Sequence, residues 1–201
     1  REGEWVVKMY AEAMSPGSPR WMQGSKQRIE RVSEVEILES LGDHLRETIE
    51  DDPELLVIWG SGGTLRTLGE SIGFTITVLG IDVTLGNENI GTDLDENQLI
   101  NTINEHKDRF KDNARILTLL SPMGGQGFLI GRGNLQLSPT VIRSIGIENI
   151  LAIVTPAKLA TLNTLRIDTG DINLDQKFQE KKYMKALQGY RTTRLIRISA
   201  E

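Results

Sequence analysis

Apolar and polar positions along the chain fall into short blocks with two alternating periods. Residues 4–9 (EWVVKM) pattern as a strand and lead into a Pro, Gly and Ser loop at 15–20. From Ser33 the period changes. Val35, Leu38, Leu41, Leu45 and Ile49 recur at spacings of three and four, one face of a helix, with Ser33 and Glu36 in capping-box register and Asp51-Asp52-Pro53 as its stop. Residues 55–59 (LLVIW) are continuously apolar, as in a strand buried on both faces. A glycine turn and a short helix over 65–72 come next, then a strand over 77–83 and a hairpin-type turn at Gly86-Asn87. Asp95 with Gln98 opens another helix, and residues 115–120 read as strand. Ser138-Pro139 starts a helix with Pro in its first position, 150–154 is strand, Thr155-Pro156 repeats that start, and 193–198 alternates as a late strand. Strand and helix patterns alternating in this way predict an α/β fold with a mainly parallel sheet flanked by helices.

Composition narrows the function classes. The 201 residues suffice for one large domain or two small ones. A polar stretch at 107–113 marks the expected boundary between a 1–106 part carrying the glycine turn and a 107–201 part, unless the whole is one domain. With no cysteine, disulfides, a thiol nucleophile and thiolate metal sites are excluded, and a reducing, cytoplasmic setting is expected. Two histidines, His44 and His106, exclude a three-histidine zinc site. A net charge of −5 argues against nucleic-acid or anionic-membrane partners. No apolar run reaches the roughly 18–20 residues that span a bilayer. Charge is uneven, net −7 over 28–54 and net +6 over 177–197. The acidic stretch reads as a solvated face, the basic one as either an anion-facing or a salt-bridged surface. The chain opens at Arg1 without Met, as a fragment or cleaved product does.

In parallel sheets, ligands sit where strand ends meet helix starts, and three such places stand out. Gly60-Ser61-Gly62-Gly63-Thr64 follows a buried strand and opens a helix. Its glycines let backbone N–H groups approach an anion that the helix dipole also favours, and Arg66 lies one turn in. The Lys-bearing P-loop spacing and G-x-G-x-x-G are both absent, and a tight turn with no ligand is the alternative. The second place runs from Ser121-Pro122-Met123 through Gly124, Gly125 and Gly127 to Gly131-Arg132-Gly133-Asn134. It suits a ligand against bare backbone, with Arg132 and Asn134 as contacts, or equally two crowded backbones. The third is Lys158 in the first turn after Thr155-Pro156, where a cation opposes the helix dipole unless an anion lies between them, or else it points to water. Nearby, Asp168 and Asp171 are candidates for Mg²⁺, or for a turn that caps the next helix.

These blocks carry a resemblance. Ser-Pro-Met-Gly-Gly-Gln-Gly from Ser121, Gly-Arg-Gly-Asn-Leu-Gln-Leu-Ser-Pro from Gly131, Thr-Pro-Ala-Lys-Leu from Thr155 and Asp-Thr-Gly-Asp from Asp168 resemble the predicted ATP- or polyphosphate-dependent NAD kinases, in the branch that includes acetoin-catabolism X proteins. The resemblance implies phosphoryl transfer from ATP or polyphosphate, with Mg²⁺, to the 2′-hydroxyl of NAD, giving NADP; a homo-oligomer is expected separately, because homo-oligomers are common among soluble proteins. Gly60 to Thr64 falls where that family carries Gly-Gly-Asp-Gly-Thr, whose Asp contacts the hydroxyl and serves as base. Here that position is Gly62, which takes no proton. Either Asp82, Asp168 or Asp171 is the catalytic carboxylate, or the chain is a non-catalytic nucleotide or phosphometabolite binder. The family's glycine-rich N-terminal segment is not found before Trp5.

Overall fold

The computed structural model describes residues 34–123 and 126–200. The strand at 4–9, the loop at 15–20, the Ser33 cap, Gly124 and Gly125 lie outside the described residues. In chain order the described elements are helix α1 (Glu34–Glu50), strand β1 (Leu56–Trp59), α2 (Gly63–Ser71), β2 (Asp82–Leu85), β3 (Glu88–Gly91), α3 (Glu96–Phe110) and β4 (Ile116–Leu120). They continue as β5 (Phe128–Ile130), α4 (Pro139–Ile145), β6 (Ile150–Ile153), α5 (Pro156–Thr161), β7 (Leu165–Ile167), α6 (Ile172–Lys181), β8 (Tyr183–Gly189) and β9 (Thr192–Ala200).

Nine strands form one sheet in the order β3-β2-β1-β4-β6-β8-β9-β7-β5, so strands from either side of residue 106 lie side by side. The run β1, β4, β6, β8 is parallel, as are β9, β7 and β5; the β1–β2, β2–β3 and β8–β9 pairs are antiparallel. This is the expected α/β architecture.

Side chains alternate across each strand, and the sheet accordingly divides two cores. Val57, Trp59, Leu119, Ile153 and Leu187 point to one face, where α1 contributes Leu41, Leu45 and Ile49 and α2 contributes Leu65 and Leu68. Leu56, Ile58, Leu120, Ala152 and Ala186 point to the other, against Leu99 and Ile103 of α3, Val141 and Ile142 of α4, and Leu174 and Phe178 of α6. The continuous apolar run at β1 is thus covered on both sides. Of the α1 stripe, only Val35 stands out in solvent, at 64% exposure.

Two local readings are corrected and one element is added. The strand placed at 77–83 begins only at Asp82. That carboxylate accepts Thr77 N (2.6 Å), Thr77 Oγ1 (2.8 Å) and Asp93 N (2.8 Å), folding 77–81 back as a loop. Asp95 and Ser138 cap α3 and α4 as expected, but Thr155, in the same position of α5, makes no side-chain cap bond, and its hydroxyl is buried without a partner. Finally, the basic stretch after α6 contains a full strand, β8, that pairs along β9. Among the described residues no helix is long and apolar enough to cross a membrane.

Candidate phosphate-binding cleft

Because β1, β4 and β6 are adjacent and parallel, their carboxyl ends open on one edge of the sheet, and the loops leaving them meet there. After β1 come Gly60 to Gly62 and the start of α2; after β4 come Ser121, Pro122 and Met123; after β6, α5 carries Lys158. Gly62, Gly63, Ser121, Pro122, Met123 and Lys158 line a cleft of about 360 Å³.

The glycines in this turn have different jobs. A Cβ at Gly60 would lie 2.6 Å from Leu120 Cδ2 and 3.0 Å from Leu119 O, so Gly60 lets β1 and β4 close together. At Gly62 and Gly63 a Cβ would meet nothing within 4 Å, and the space beside them is the cleft. Gly62 holds φ at +126°, a backbone setting that L side chains rarely take, and its N–H donates to Val78 O (2.7 Å). Helix α2 starts at Gly63 without a side-chain cap. Its first N–H groups have no intrahelical acceptor and lie at the positive end of the dipole. Ser61 is turned away, donating to Gly133 O (3.0 Å), which ties the loop after β5 to the turn.

Lys158 closes the other side. Its Nζ donates to Ser121 Oγ (2.8 Å), Thr64 Oγ1 (3.1 Å) and Pro122 O (3.2 Å), so one ammonium joins all three loops. Among the described residues no carboxylate forms an ion pair with it. Burial draws its pKa below the ordinary 10.5, and the weaker opposing influence of Glu34 does not restore it. A half-buried cation met only by neutral oxygens is stabilised by an incoming anion.

Of the residues singled out in the sequence, Gly62, Gly63, Thr64 and Lys158 come together here. Arg66 lies on the solvent side of α2, paired with Glu70 at 2.8 Å. Asn134 is buried and clamps its own loop, accepting from Gly131 N (3.0 Å) and donating to Leu129 O (2.9 Å). The exposed Arg132 guanidinium stacks 4.2 Å from the Phe128 ring and bonds Gln126. Gly127 sits where a Cβ would lie 2.7 Å from Leu162 and 2.9 Å from Thr164 O, the crowded-backbone arrangement.

Asp82, fully engaged by its loop, pairs in register with Trp59 at the end of β1. Asp168 and Asp171 follow β7, which β8 and β9 separate from β6 in the sheet. Asp168 is exposed, and Asp171 caps α6 through Leu174 N (2.9 Å) while accepting from Arg143 (2.6 Å). The Arg143 bond, before all else, holds the Asp171 carboxyl below its ordinary range. Both oxygens of this carboxylate are already engaged, Oδ2 by Arg143 and Oδ1 by Leu174 N, so a cation there would compete with Arg143. Among the described residues no three His, Asp or Glu side chains are grouped to hold a metal.

Ser121 opens the second glycine-rich stretch of the sequence, whose expected polar contacts are Arg132 and Asn134 and not this hydroxyl. Its signal was positional: it is the first residue after β4, the strand next to β1, as Gly60 is the first after β1.

The family model of the ATP-NAD kinase C-terminal domain matches residues 54–198. No curated protein and no solved structure matches the chain. The family match starts just before β1, ends within β9 and takes in every residue that lines the cleft; this chain belongs to the ATP-NAD kinase C-terminal domain family.

Proposed function

We propose that the cleft holds a nucleotide phosphate and that the chain works as an NAD kinase-type phosphotransferase, moving a phosphoryl group from ATP or polyphosphate to the adenosine-ribose 2′-hydroxyl of NAD. The observation that carries this reading is Lys158, an ammonium without a carboxylate partner among the described residues, facing the open backbone of Gly62 and Gly63. Family membership supplies the substrate class. In the transfer, the 2′-oxygen bonds to phosphorus, the bond from phosphorus to the ADP or shortened polyphosphate leaving group breaks, and the hydroxyl proton passes to a base. Lys158 and the first amides of α2 would stabilise charge on the transferred group. Asp82, at the end of the strand beside β1, Asp168 and Asp171 are the proposed candidates for the base, and Mg²⁺ is taken to arrive on the donor's phosphates.

One observation favours a second reading, binding without transfer: among the described residues no carboxylate lines the cleft, and by the resemblance drawn from the sequence Gly62 stands where the motif carries Asp. Incubation of the chain with NAD and either MgATP or polyphosphate separates the two. NADP above a protein-free blank supports the kinase. No NADP, together with a thermal shift on adding NADP or ATP, supports the binder, and a ligand at 100 times its dissociation constant gives about 2.7 kcal/mol, a readily measured shift. Neither NADP formation nor any thermal shift with NAD, NADP or ATP overturns both.

A further inference from the structure

Parallel strands are normally covered on both faces, yet among the described residues β9 and β7 are covered on one side only. Met184 and Ala186 of β8, Ile196 and Ile198 of β9, and Leu165 and Ile167 of β7 all point to the core shared with α3, α4 and α6. Their alternates point to the side of α1 and α2. There Leu187 is buried under α1, but Tyr183, paired with Arg197, and Lys185, paired with Leu195, lie beyond its reach. Tyr183 is 50% exposed and Leu195 62%, with Lys185 and Arg197 exposed beside them. Among the described residues no carboxylate forms an ion pair with either cation. Lys185 and Arg197 are diagonal neighbours across the β8–β9 pair, and an anionic cover relieves their repulsion.

The chain carries such a cover on the same side of its sheet. Glu39, Asp43 and Glu50 are exposed and recur at spacings of four and seven, one stripe of α1 opposite its buried Leu41, Leu45 and Ile49. The inner face of α1 lies on its own sheet, which turns the acidic stripe outward. We infer that two copies of this chain pair through these surfaces, the stripe of α1 in each lying on the bare basic face of β8 and β9 in the other. Because stripe and face stand on one side of the sheet, a two-fold axis satisfies both contacts at once and closes the assembly at two chains. The two α1 helices then form one layer between two sheets. Glu39 and Asp43 meet Lys185 and Arg197, with Tyr183 and Leu195 covered between the charges. A single-stranded nucleic acid, whose bases also stack on aromatic and basic surfaces, would suit the basic face but leave the acidic stripe without a partner.

Sedimentation of the full chain tests the pairing. Twice the chain mass is expected at low salt, shifting towards the monomer as added salt screens the charges. Lys185→Glu with Arg197→Glu, and separately Glu39→Lys with Asp43→Lys, should each weaken pairing about tenfold or more, the effect of losing one close charge pair across an interface. Mixed in equal amounts, the two variants should pair again, because both contacts of the mixed dimer regain opposite charges. Circular dichroism checks folding of these exposed substitutions, and the single reversals Lys185→Glu and Glu39→Lys replace a double variant that does not fold. A chain that stays monomeric at low salt, an assembly that grows past two copies, a dimer that survives both reversals, or reversed variants that fail to pair on mixing overturns the inference. A monomer that binds a single-stranded oligonucleotide through Lys185 and Arg197 overturns it in favour of that occupant.

Discussion

At the scale of single residues, glycines that look alike in the sequence have opposite sensitivities. Gly63 faces open space with ordinary backbone angles, so Gly63→Val is expected to fold with a stability change within about 0.5 kcal/mol. The branched side chain would stand where the anion goes, and the thermal shift with NADP or ATP should vanish. Gly131 has φ +110°, and a Cβ there would lie 2.1 Å from Asp168 O. Gly131→Ala should therefore lower stability by about 1–3 kcal/mol, read from denaturant midpoints, because the backbone strain and the clash both act on β5 and β7. A retained ligand shift in Gly63→Val, or an unchanged midpoint in Gly131→Ala, would contradict this division. The Gly62–Gly63 turn and Lys158 were legible because each is marked by its place after an apolar strand. The second glycine cluster was readable only as two equal alternatives. What separates them is a neighbour more than thirty positions away, Asp168 for Gly131 and Leu162 for Gly127, and no local pattern carries that information.

Elements were legible where a side chain makes its bond within its own turn. The Asp95 capping box is complete, with Asp95 Oδ1 accepting Gln98 N (2.9 Å) and Gln98 Oε1 accepting Asp95 N (2.9 Å). Thr155 has the same kind of sequence context but no such bond, and its hydroxyl is buried without any partner. Helix α5 follows directly from the completely buried end of β6, and packing rather than capping fixes its start. Opposite outcomes are expected from removing the two polar groups. Asp95→Ala should cost about 1 kcal/mol of stability, whereas Thr155→Val, which deletes an unsatisfied buried group at constant shape, should be neutral or stabilising. Thermal melts of both variants check the pair; a loss at Thr155 equal to that at Asp95 would mean that its hydroxyl does cap α5. The early strand at 77–83 failed for a related reason. Its apolar residues suit a strand, but the Asp82 carboxylate gathers the amides of Thr77 and Asp93, and Leu79 is left 81% exposed. A tertiary acceptor outweighed local propensity.

At the scale of the whole molecule, the β8–β9 hairpin crosses from the end of α6 back to α1, a connection between segments some 140 positions apart that no periodicity announces. At its tip Tyr190 N donates to Ser40 Oγ (2.7 Å), Tyr190 OH donates to Glu47 Oε1 (2.7 Å), and Arg191 donates to Glu47 Oε2 (3.1 Å). The hydroxyl bond lowers the Glu47 carboxyl below its ordinary 4.5 and, reciprocally, raises the Tyr190 phenol above its ordinary 10.0. Linkage fixes the sign on each side. A lowered carboxyl stabilises the fold fully above 4.5, and that contribution disappears as pH falls through its folded value. A raised phenol stabilises fully below 10.0, and its contribution disappears as pH rises through its folded value. The latch thus holds at constant strength between these limits. Tyr190→Phe removes the hydroxyl and keeps the ring that packs edge-on against His44 at 5.9 Å. The Tm difference between wild type and Tyr190→Phe should then be flat across neutral pH and shrink towards zero in acid below 4.5 and in base above 10.0. Exposure and salt make the difference small, so its pH profile carries the test. A gap that stays constant into acid would show that the Tyr190 hydroxyl contributes without the Glu47 charge, and no gap at neutral pH would show that Glu47 is held by Arg191 alone.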